Sequence, residues 1–336
     1  MSTFNEDFVY GAAQDHHEKM AWFDAHESLH WTHAEVAMGE DIKDWNNATK
    51  QEQDFIRNLL TFFVQADIEV EDVYLHTYLK LFGSTLPNKM CLGSAAAREG
   101  IHIRGYAHLI ESLGFDESMF SEFLDVPVCK ELQSALQNYA ELAHYVHHES
   151  VSPIYCRARD MYKAFVATTL FGEGVMLFGQ FAMLMNFKRN NKFKGQATIV
   201  QWSVRDEDMH VQLLTKMARE HFKDVPVTTL EGWYREEYIY LMPLIIEFVD
   251  YCYAAGSPEG LERQQIVEFL AHQACRRARQ AGLFKDIEVP EVSPIPWFDQ
   301  MIGGTEHTNF FERRGTAYSK GNLVGEWDYT EALKLI

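Results

Sequence analysis

The feature that most constrains this chain is one arrangement of acidic residues and histidine that occurs twice. Asp67 precedes the glutamate of Glu99-Gly-Ile-His102 by 32 residues, and Glu173 precedes the glutamate of Glu207-Asp-Met-His210 by 34 residues. A glutamate and a histidine three positions apart lie on one face of a helix. Four carboxylates and two imidazoles that point inward from such helices form the ligand set of a dinuclear metal site inside a four-helix bundle. The pattern therefore predicts a helical protein with a buried metal pair.

Long segments with a 3.6-residue hydrophobic period predict an all-α chain, because the alternating pattern of β-strands is scarce. Helices are predicted near residues 15–27, 50–82, 88–113, 130–148, 153–187, 196–222, 229–254 and 260–282. The periodicity breaks from about residue 285, where three prolines follow one another closely. We therefore predict a single helical domain over residues 1–300 and a flexible C-terminal tail over residues 301–336.

The charge and composition argue against several classes of protein. The net charge of −19 disfavours direct binding to nucleic acid or to an anionic membrane. The most apolar segment, residues 164–187, carries Glu173 near its centre and is therefore not typical of a membrane span. The five cysteines form no C-x-x-C pair, and the N-terminus lacks a secretion signal. These features predict a cytoplasmic protein with reduced thiols.

Four Glu-x-x-His motifs occur in the chain, although chance alone gives only about one or two in a sequence of this composition. Glu99 and Glu207 each lie on an apolar helical stripe and have a lone acid upstream. The small residues 93–97 just before Glu99 would let a neighbouring helix approach closely. The pair Glu141/His144 lies in a polar segment, and the pair Glu27/His30 ends a polar N-terminal segment with no lone acid upstream, so we interpret both as chance matches.

The two lone acids differ in how clearly they are metal ligands. Glu173 is the only charged residue between Lys163 and Lys188, and an ionised carboxylate in so apolar a segment needs a partner. That partner is a metal ion or, as the alternative, a structural salt bridge. Asp67 shares a helical face with apolar residues, but Glu71 is a rival for the same role.

The residue types indicate which metals would bind. Four carboxylates balance the charge of two divalent cations, so the whole cluster would be neutral and could be buried. Mixed oxygen and nitrogen ligands without thiolate suit iron or manganese better than structural zinc. Open positions on such metals bind and activate dioxygen.

Tyr106 lies on the same helical face as Glu99 and His102. A phenol close to an oxygen-activating metal pair can be oxidised by one electron. The alternative is a core tyrosine with a bonded hydroxyl, which is the commoner case for a buried tyrosine. The spacing alone does not distinguish the two.

These residues together resemble a known family. The segment Glu99–Tyr106, of the form E-x-x-H-x-x-x-Y, and the segment Arg205–His210 are similar to the ligand helices of the small (β, radical-generating) subunit of class I ribonucleotide reductase. The similarity extends from about Leu29 to Tyr318, which is nearly the whole chain. It implies a ferritin-like four-helix bundle core with additional helices and a dinuclear metal site inside the bundle.

The resemblance implies a role for each matching residue. The metal ligands would be Asp67, Glu99, His102, Glu173, Glu207 and His210. Tyr106 would carry the radical, and Tyr318 would pass the oxidising equivalent to the partner subunit. Trp31 and Asp206 would serve electron delivery, although this chain lacks the proline that the family often has two positions after the tryptophan.

The resemblance also implies partners and cofactors. The expected activity is that of ribonucleoside-diphosphate reductase, whose small subunit works only with a large (alpha) subunit. The tail 301–336 would dock to that subunit, with Trp327 and Tyr329 as alternatives to Tyr318 for the relay. A homodimer and an activating flavoprotein are further implied partners. Two metal ions per chain are expected; iron is favoured, and Mn/Mn and Mn/Fe pairs stay open, as does the choice of oxidant.

Other functions fit the same ligand set. A dimetal-carboxylate oxidase or monooxygenase of this fold would need neither Tyr106 nor a tyrosine in the tail. An iron-binding or storage protein would take up many ions rather than two, and the extra length of this chain would go unexplained. A helical scaffold with buried salt bridges would bind no metal at all.

Overall fold

The computed structural model describes residues 17–148 and 154–303, with side chains over 17–139 and 158–302. Within these residues the chain forms helices and no strand, so the predicted all-α class is confirmed. The α-helices in chain order are α1 (His17–Ser28), α2 (Gly39–Asn47), α3 (Lys50–Val73), α4 (Leu86–Ser112), α5 (Pro127–His148), α6 (Ile154–Phe165), α7 (Leu177–Arg189), α8 (Lys194–His221), α9 (Val227–Tyr253), α10 (Arg263–Gln280) and α11 (Pro296–Gly303), besides the one-turn helix Leu79–Phe82.

Two stretches of π-helix interrupt the regular hydrogen bonding of the long helices. The π turn Tyr74–Tyr78 continues α3, and the π segment Val166–Met176 joins α6 to α7. Short 3-10 helices lie at His33–Glu35 and Glu117–Asp125. π-Helical turns inside α-helices are frequent at functional sites. The hydrophobic period predicts helices at these positions, but it does not distinguish π from α geometry.

The predicted helices lie within a few residues of the observed ones, whereas α2 and α11 were not predicted. Helix α2 is only nine residues long and mostly polar, and α11 begins at Pro296, in the segment where the sequence predicts a break. Packing divides the chain into two units, Met1–Pro296 and Trp297–Ile336. The predicted tail lies almost wholly outside the described residues.

Local sequence signals explain where the two central helices begin. Thr49 caps α3 and forms a capping box with Glu52, in which each side chain bonds the other's backbone N–H. Thr85 caps α4, and Pro87 occupies the first turn of that helix, where its missing N–H costs nothing. Both helices therefore start at residues that satisfy otherwise unpaired backbone groups.

The core is a bundle of four helical elements: α3, α4, the π segment with α7, and α8. Helix α3 packs against α4, and α8 packs against α4 and the π segment. Phenylalanines fill the space between them, and Phe55, Phe62, Phe63, Phe171 and Phe181 are buried. Burial of each such side chain stabilises the fold by about 1.5–3 kcal/mol relative to exposure. The predicted four-helix core is confirmed, and its four elements are those that carry the predicted ligands.

The small residues before Glu99 have the predicted consequence. Helix α1 packs closely on α4 at this point, where Ser94, Ala95 and Ala96 are buried. The apolar stretch Ala158–Arg189 is long enough to cross a membrane, but its apolar 18-residue window is wholly buried within the protein, as in a core helix. Among the cysteines with described side chains, Cys91, Cys129, Cys252 and Cys275 are unpaired thiols.

Candidate metal centre

The structure brings all six predicted metal ligands into one buried cluster. Each ligand side chain is at most 1% exposed, so the burial predicted from the apolar stripes is confirmed. One comes from α3, two from α4, one from the π segment and two from α8. The six are Asp67, Glu99, His102, Glu173, Glu207 and His210.

Two glutamates lie between the two imidazoles. His102 Nδ1 is 3.2 Å from Glu99 Oε2 and 3.1 Å from Glu207 Oε1. His210 Nδ1 is 2.9 Å from Glu99 Oε1, 3.3 Å from Glu207 Oε2 and 3.7 Å from Glu173 Oε1. Four ligand atoms, one each from these three glutamates and from His210, lie within 4.8 Å of one another. Glu99 and Glu207 therefore each lie close to both imidazoles, and both would help to hold a metal pair.

Burial decides between the two candidate acids on α3. Asp67 is 1% exposed, and its charge acts on His102 and on the other carboxylates of the cluster. Glu71 is only partly buried. A third acid, Glu69, is buried elsewhere and accepts hydrogen bonds from three glutamine amides, those of Gln65, Gln133 and Gln137. Asp67 is therefore the acid of this helix that belongs to the cluster.

Several ligand atoms of the cluster are buried without a hydrogen bond, which tests whether the residues fit a metal. A buried polar atom without a partner is costly, and native proteins rarely contain several together unless an ion or water satisfies them. The atoms without a hydrogen bond are Asp67 Oδ2, Glu99 Oε1, Glu173 Oε2, Glu207 Oε1, Glu207 Oε2 and His210 Nδ1. Those of Glu99, Glu207 and His210 lie within ion-pair distance of one another or of His102, whereas those of Asp67 and Glu173 do not. Five carboxylate oxygens and one imidazole nitrogen suit iron or manganese, so the residues fit the predicted metal pair.

Four of the six side chains of the cluster have a raised pKa and therefore bind protons more tightly than usual. Burial raises the pKa of Glu173 to about 8, and the charges of Glu207 and Glu99 act in the same direction. Burial likewise raises the pKa of Asp67. For His102 and His210, burial is outweighed by the surrounding carboxylates, which raise the pKa of both imidazoles. Metal ligands must be deprotonated, so two divalent cations would displace the protons that these groups hold.

Tyr106 lies on α4 in the same bundle interior, beside Ser203. The ring stacks on Phe63 with 4.4 Å between centroids, and the side chain is 1% exposed. The contact with the Ser203 hydroxyl acts to lower the pKa of Tyr106, but burial and then the charge of Asp67 outweigh it and raise that pKa well above its usual value. These contacts fit both interpretations of Tyr106.

Asp206 lies between His102 and Trp31. The indole Nε1 of Trp31 donates to Asp206 Oδ2 at 2.7 Å, and the same oxygen lies 3.4 Å from His102 Nε2. The indole also packs on His102, with ring centroids 5.9 Å apart, and on Trp202, at 5.2 Å. Trp31 is buried and Trp202 is partly exposed, so this line of contacts runs from the cluster towards the protein surface.

Two arginines that the sequence analysis missed hold the Asp206 carboxylate. Arg98 Nη1 donates to Asp206 Oδ2 at 2.9 Å, and Arg205 Nη2 donates to Oδ1 at 3.1 Å. Burial acts to raise the pKa of Asp206, but the His102 contact and the two arginine charges lower it well below its usual range. Asp206 therefore stays ionised. The sequence does point to Arg98, because it is a charged residue between a run of alanines and Glu99.

Tyr74 and His26 are two further residues that the sequence analysis did not place at the site. The Tyr74 hydroxyl donates to Glu173 Oε1 at 2.9 Å. Tyr74 follows Asp67 by two helical turns, so the spacing offered a signal. His26 on α1 lies against His210, with 3.1 Å between their Nε2 atoms, and burial lowers its pKa to about 2, so its ring is neutral. No sequence signal pointed to His26, since it lies far away along the chain.

The remaining sequence candidates lie outside the cluster or outside the described residues. Glu27 and His30 are exposed and are not part of the ligand cluster. The side chains of the other chance match, Glu141/His144, are outside the described residues. The same holds for Tyr318 and for its alternatives Trp327 and Tyr329.

We expect Gly105→Ala to destabilise the protein because it would displace Trp31. A methyl group at Gly105 would lie 2.9 Å from the Trp31 ring, and that ring is fixed by its bond to Asp206. Such overpacking costs about 1–3 kcal/mol. Gly93→Ala is the matched control on the same helix, where nothing lies within 4 Å. It should stabilise by up to about 1 kcal/mol through helix propensity.

Urea unfolding of the two variants checks this expectation, and tryptophan fluorescence reports the displacement of the indole. Equal free energies of unfolding for the Gly105 and Gly93 variants would show that the Trp31 ring is not held in place.

Sequence comparisons identify relatives over most of the chain. The family model described as ribonucleotide reductase, small chain, matches residues 11–294. A protein of Invertebrate iridescent virus 3, assigned as a ribonucleoside-diphosphate reductase small subunit, is 30% identical over 325 residues, which cover 91% of this chain and 83% of that protein. The ribonucleoside-diphosphate reductase subunit beta of Chlamydia pneumoniae is 26% identical over 307 residues and covers 87% of this chain and 85% of its own.

Solved structures share the fold at low identity. A Bacillus halodurans protein assigned as a class I ribonucleotide reductase superposes with a TM-score of 0.73 at 19% identity, covering 84% of this chain and 99% of that one. A variant of an R2-like ligand-binding oxidase with a Mn/Fe cofactor gives a TM-score of 0.66 at 15% identity, covering 78% and 93%. These likenesses show the ferritin-like fold. The family itself is shown by the family model over residues 11–294 and by the 30% identical relative. The chain belongs to the small-chain family of ribonucleotide reductase.

Proposed function

We propose that this chain is the radical-generating small subunit of a class I ribonucleoside-diphosphate reductase. Two metal ions per chain would be held by Asp67, Glu99, His102, Glu173, Glu207 and His210. The observation that supports the proposal most directly is the convergence of four buried carboxylates and two buried imidazoles in the same bundle interior as Tyr106. Asp67 Oδ2 and Glu173 Oε2 have no hydrogen-bond partner among the described residues, whereas a salt-bridged scaffold would pair them with cations of the chain.

The ligand set supports iron as the favoured metal and leaves Mn/Mn and Mn/Fe pairs open. Metal ions bound in such a site supply one-electron oxidation of a neighbouring side chain after reaction with dioxygen or superoxide. The residues of the chain then determine which side chain is oxidised and how well the product is protected.

Tyr106 is the side chain that would lose the electron. Its ring is buried against Phe63, so solvent and external reductants are kept away from a radical formed there. A phenol that loses an electron becomes strongly acidic and must release its proton. Asp67 exerts the strongest charge effect on Tyr106 and has a buried oxygen without a hydrogen bond. The Asp67 carboxylate is therefore the acceptor that we propose for that proton.

Trp31 and Asp206 would deliver electrons from the protein surface. Asp206 is kept ionised by Arg98 and Arg205 and accepts the Trp31 N–H. A carboxylate in this position would stabilise the cation that Trp31 becomes when it gives up an electron. The partly exposed Trp202, which packs on Trp31, would extend the route outwards.

The partner in this proposal is the large (alpha) subunit, which would bind and reduce the ribonucleotide. The tail 301–336 would dock to it, and Tyr318 would relay the oxidising equivalent, with Trp327 and Tyr329 as alternatives. A homodimer, a cytoplasmic location and an activating flavoprotein are also part of the proposal. Their support is the family to which the chain belongs.

The test is reductase activity with and without the large subunit encoded by the same genome. We expect the metal-loaded chain to yield a deoxyribonucleoside diphosphate only when both subunits are present, as measured by chromatography of the nucleotides. Neither subunit alone should have activity.

A dimetal oxidase is the second candidate, because R2-like ligand-binding oxidases share the fold. Oxidation of a small apolar compound by the chain alone, with no reductase activity in the mixture, would favour that candidate. Uptake of many iron ions per chain would instead favour iron storage.

A further inference from the structure

A second line of hydrogen-bonding residues begins at His210. His210 Nδ1 faces the carboxylates of Glu99 and Glu207, and its Nε2 lies 3.1 Å from His26 Nε2. His26 Nδ1 in turn lies 2.7 Å from Ser94 Oγ. His26 is fully buried, so these two neighbours are the groups that its ring nitrogens meet.

The line ends at the surface. The Ser94 hydroxyl donates to Glu27 Oε1, and Glu27 is exposed. Glu27 belongs to a Glu-x-x-His motif that is not part of the ligand cluster, so Glu27 is not itself a predicted metal ligand. An exposed carboxylate accepts hydrogen bonds and does not donate them when it is ionised.

This end point fixes the direction of every hydrogen bond in the line. Since Glu27 accepts from Ser94, the Ser94 oxygen is free to accept from His26 Nδ1–H. A neutral imidazole with its hydrogen on Nδ1 has an acceptor at Nε2. His26 Nε2 must therefore accept from His210 Nε2–H. His210 then keeps a hydrogen on Nε2, so Nδ1, which lies against the carboxylates, is the nitrogen left to bind a metal ion.

The His26 ring is held firmly enough to impose this direction. Trp22 stacks on it with 4.7 Å between ring centroids and 11° between planes. The Trp22 indole itself donates to Met209 O on α8 at 3.2 Å. Arg98 Nη2 donates to the backbone oxygen of His26 at 3.0 Å. These contacts attach α1 both to α4 and to α8, the two helices that carry the ligand histidines.

We propose that His26 is a positioning residue that fixes the His210 tautomer and ring orientation, so that Nδ1 is presented to a metal ion. The inference rests on the metal-binding part of the proposed function. Partners of this kind orient metal-ligating histidines and raise their basicity, and they are most often carboxylates, backbone carbonyls or water. In this chain the two sides of the cluster differ, because His102 is backed by the ionised Asp206 and His210 by the neutral His26. The two metal positions are therefore unequal.

The test is Mn²⁺ binding by the full metal-free chain, followed through the solution signal of free Mn²⁺ in electron paramagnetic resonance. We expect His26→Leu to weaken one of the two binding steps by about 10–100-fold, which is typical when such a partner is removed. His26→Gln should recover most of that affinity, because its amide offers one acceptor and one donor in place of the two ring nitrogens.

His272→Leu is the matched control. His272 is also buried on a helix, and its ring donates to the backbone oxygen of Pro290 at 2.8 Å. That bond involves no ligand residue. We expect this variant to bind both ions with unchanged affinity, whatever its loss in unfolding temperature. A role of His26 in stability alone would make the affinity follow the unfolding temperature in all three variants.

The inference is overturned if His26→Leu binds both ions as tightly as the wild type, if His26→Gln recovers nothing, or if His272→Leu loses the same affinity. A wild-type chain that binds neither Mn²⁺ nor Fe²⁺ would overturn the proposed function as well. The two failures are therefore distinguishable.

Discussion

Replacement of Tyr106 by phenylalanine is expected to abolish the tyrosyl radical signal and the reductase activity while both metal ions remain bound. The substitution removes only the hydroxyl, whose neighbour is Ser203 and which bonds no ligand residue, so the ligand geometry has no reason to change. Phenylalanine lacks the phenol oxygen and its releasable proton, so its ring is much harder to oxidise than that of tyrosine. Electron paramagnetic resonance and metal analysis of the loaded protein measure the two effects separately.

Tyr234→Phe is the matched control for this prediction. Tyr234 is also buried, and its hydroxyl bonds the backbone oxygen of Ala274 at 2.8 Å, away from the ligand residues. This variant should keep the radical signal and the activity. A tyrosyl signal that survives in Tyr106→Phe would place the radical on another residue, of which Tyr74 is the first candidate because it bonds Glu173.

Glu173→Gln is expected to reduce the metal content below two ions per chain while leaving the metal-free protein at least as stable as the wild type. The amide has the shape of the carboxylate and still accepts the Tyr74 hydrogen bond, but it is a poor ligand for a hard cation. Burial raises the pKa of Glu173 from 4.5 to about 8, so the ionised group opposes folding.

Because folding raises the pKa of Glu173, the stability of the metal-free protein depends on pH. A carboxyl whose pKa is raised by folding binds more protons in the folded state, so its contribution to stability falls as pH rises from 4.5 to about 8. The metal-free wild type should therefore lose stability over this range relative to the glutamine variant. The difference is at most a few kcal/mol, since each pKa unit corresponds to about 1.36 kcal/mol. Urea unfolding at several pH values measures it.

Glu237→Gln provides the matched control for the metal content. Glu237 is 2% exposed, but its carboxylate pairs with Lys163 and Tyr139 and is not in the ligand cluster. We expect this variant to bind two ions. Unchanged metal content in Glu173→Gln, or an equal loss in both variants, would contradict the assignment of Glu173 as a ligand.

The ligand cluster could be predicted because helical periodicity places residues of one face together. Glu99 and His102 lie on one face of α4, and Glu207 and His210 lie on one face of α8. A buried charge needs a partner, so the isolated charge of Glu173 was itself a signal. The doubled arrangement therefore predicted both the four-helix core and the residues that meet inside it.

What could not be predicted depends on contacts between helices that are distant in sequence. The choice of Asp67 over Glu71 rests on burial, which the two similar positions on α3 do not reveal. The contact between His26 and His210 arises because α1 packs across α4 and α8. The π segment around Glu173 changes the helical register locally, and a 3.6-residue period does not predict such a change.

The most direct test of the proposed dinuclear, radical-generating centre is metal analysis combined with electron paramagnetic resonance on the full chain. The metal-free protein would be loaded with iron, with manganese or with both, and then exposed to air. We expect two metal ions per chain and a tyrosyl signal that is absent from Tyr106→Phe. A chain that retains no metal pair under any of these conditions would contradict the proposal.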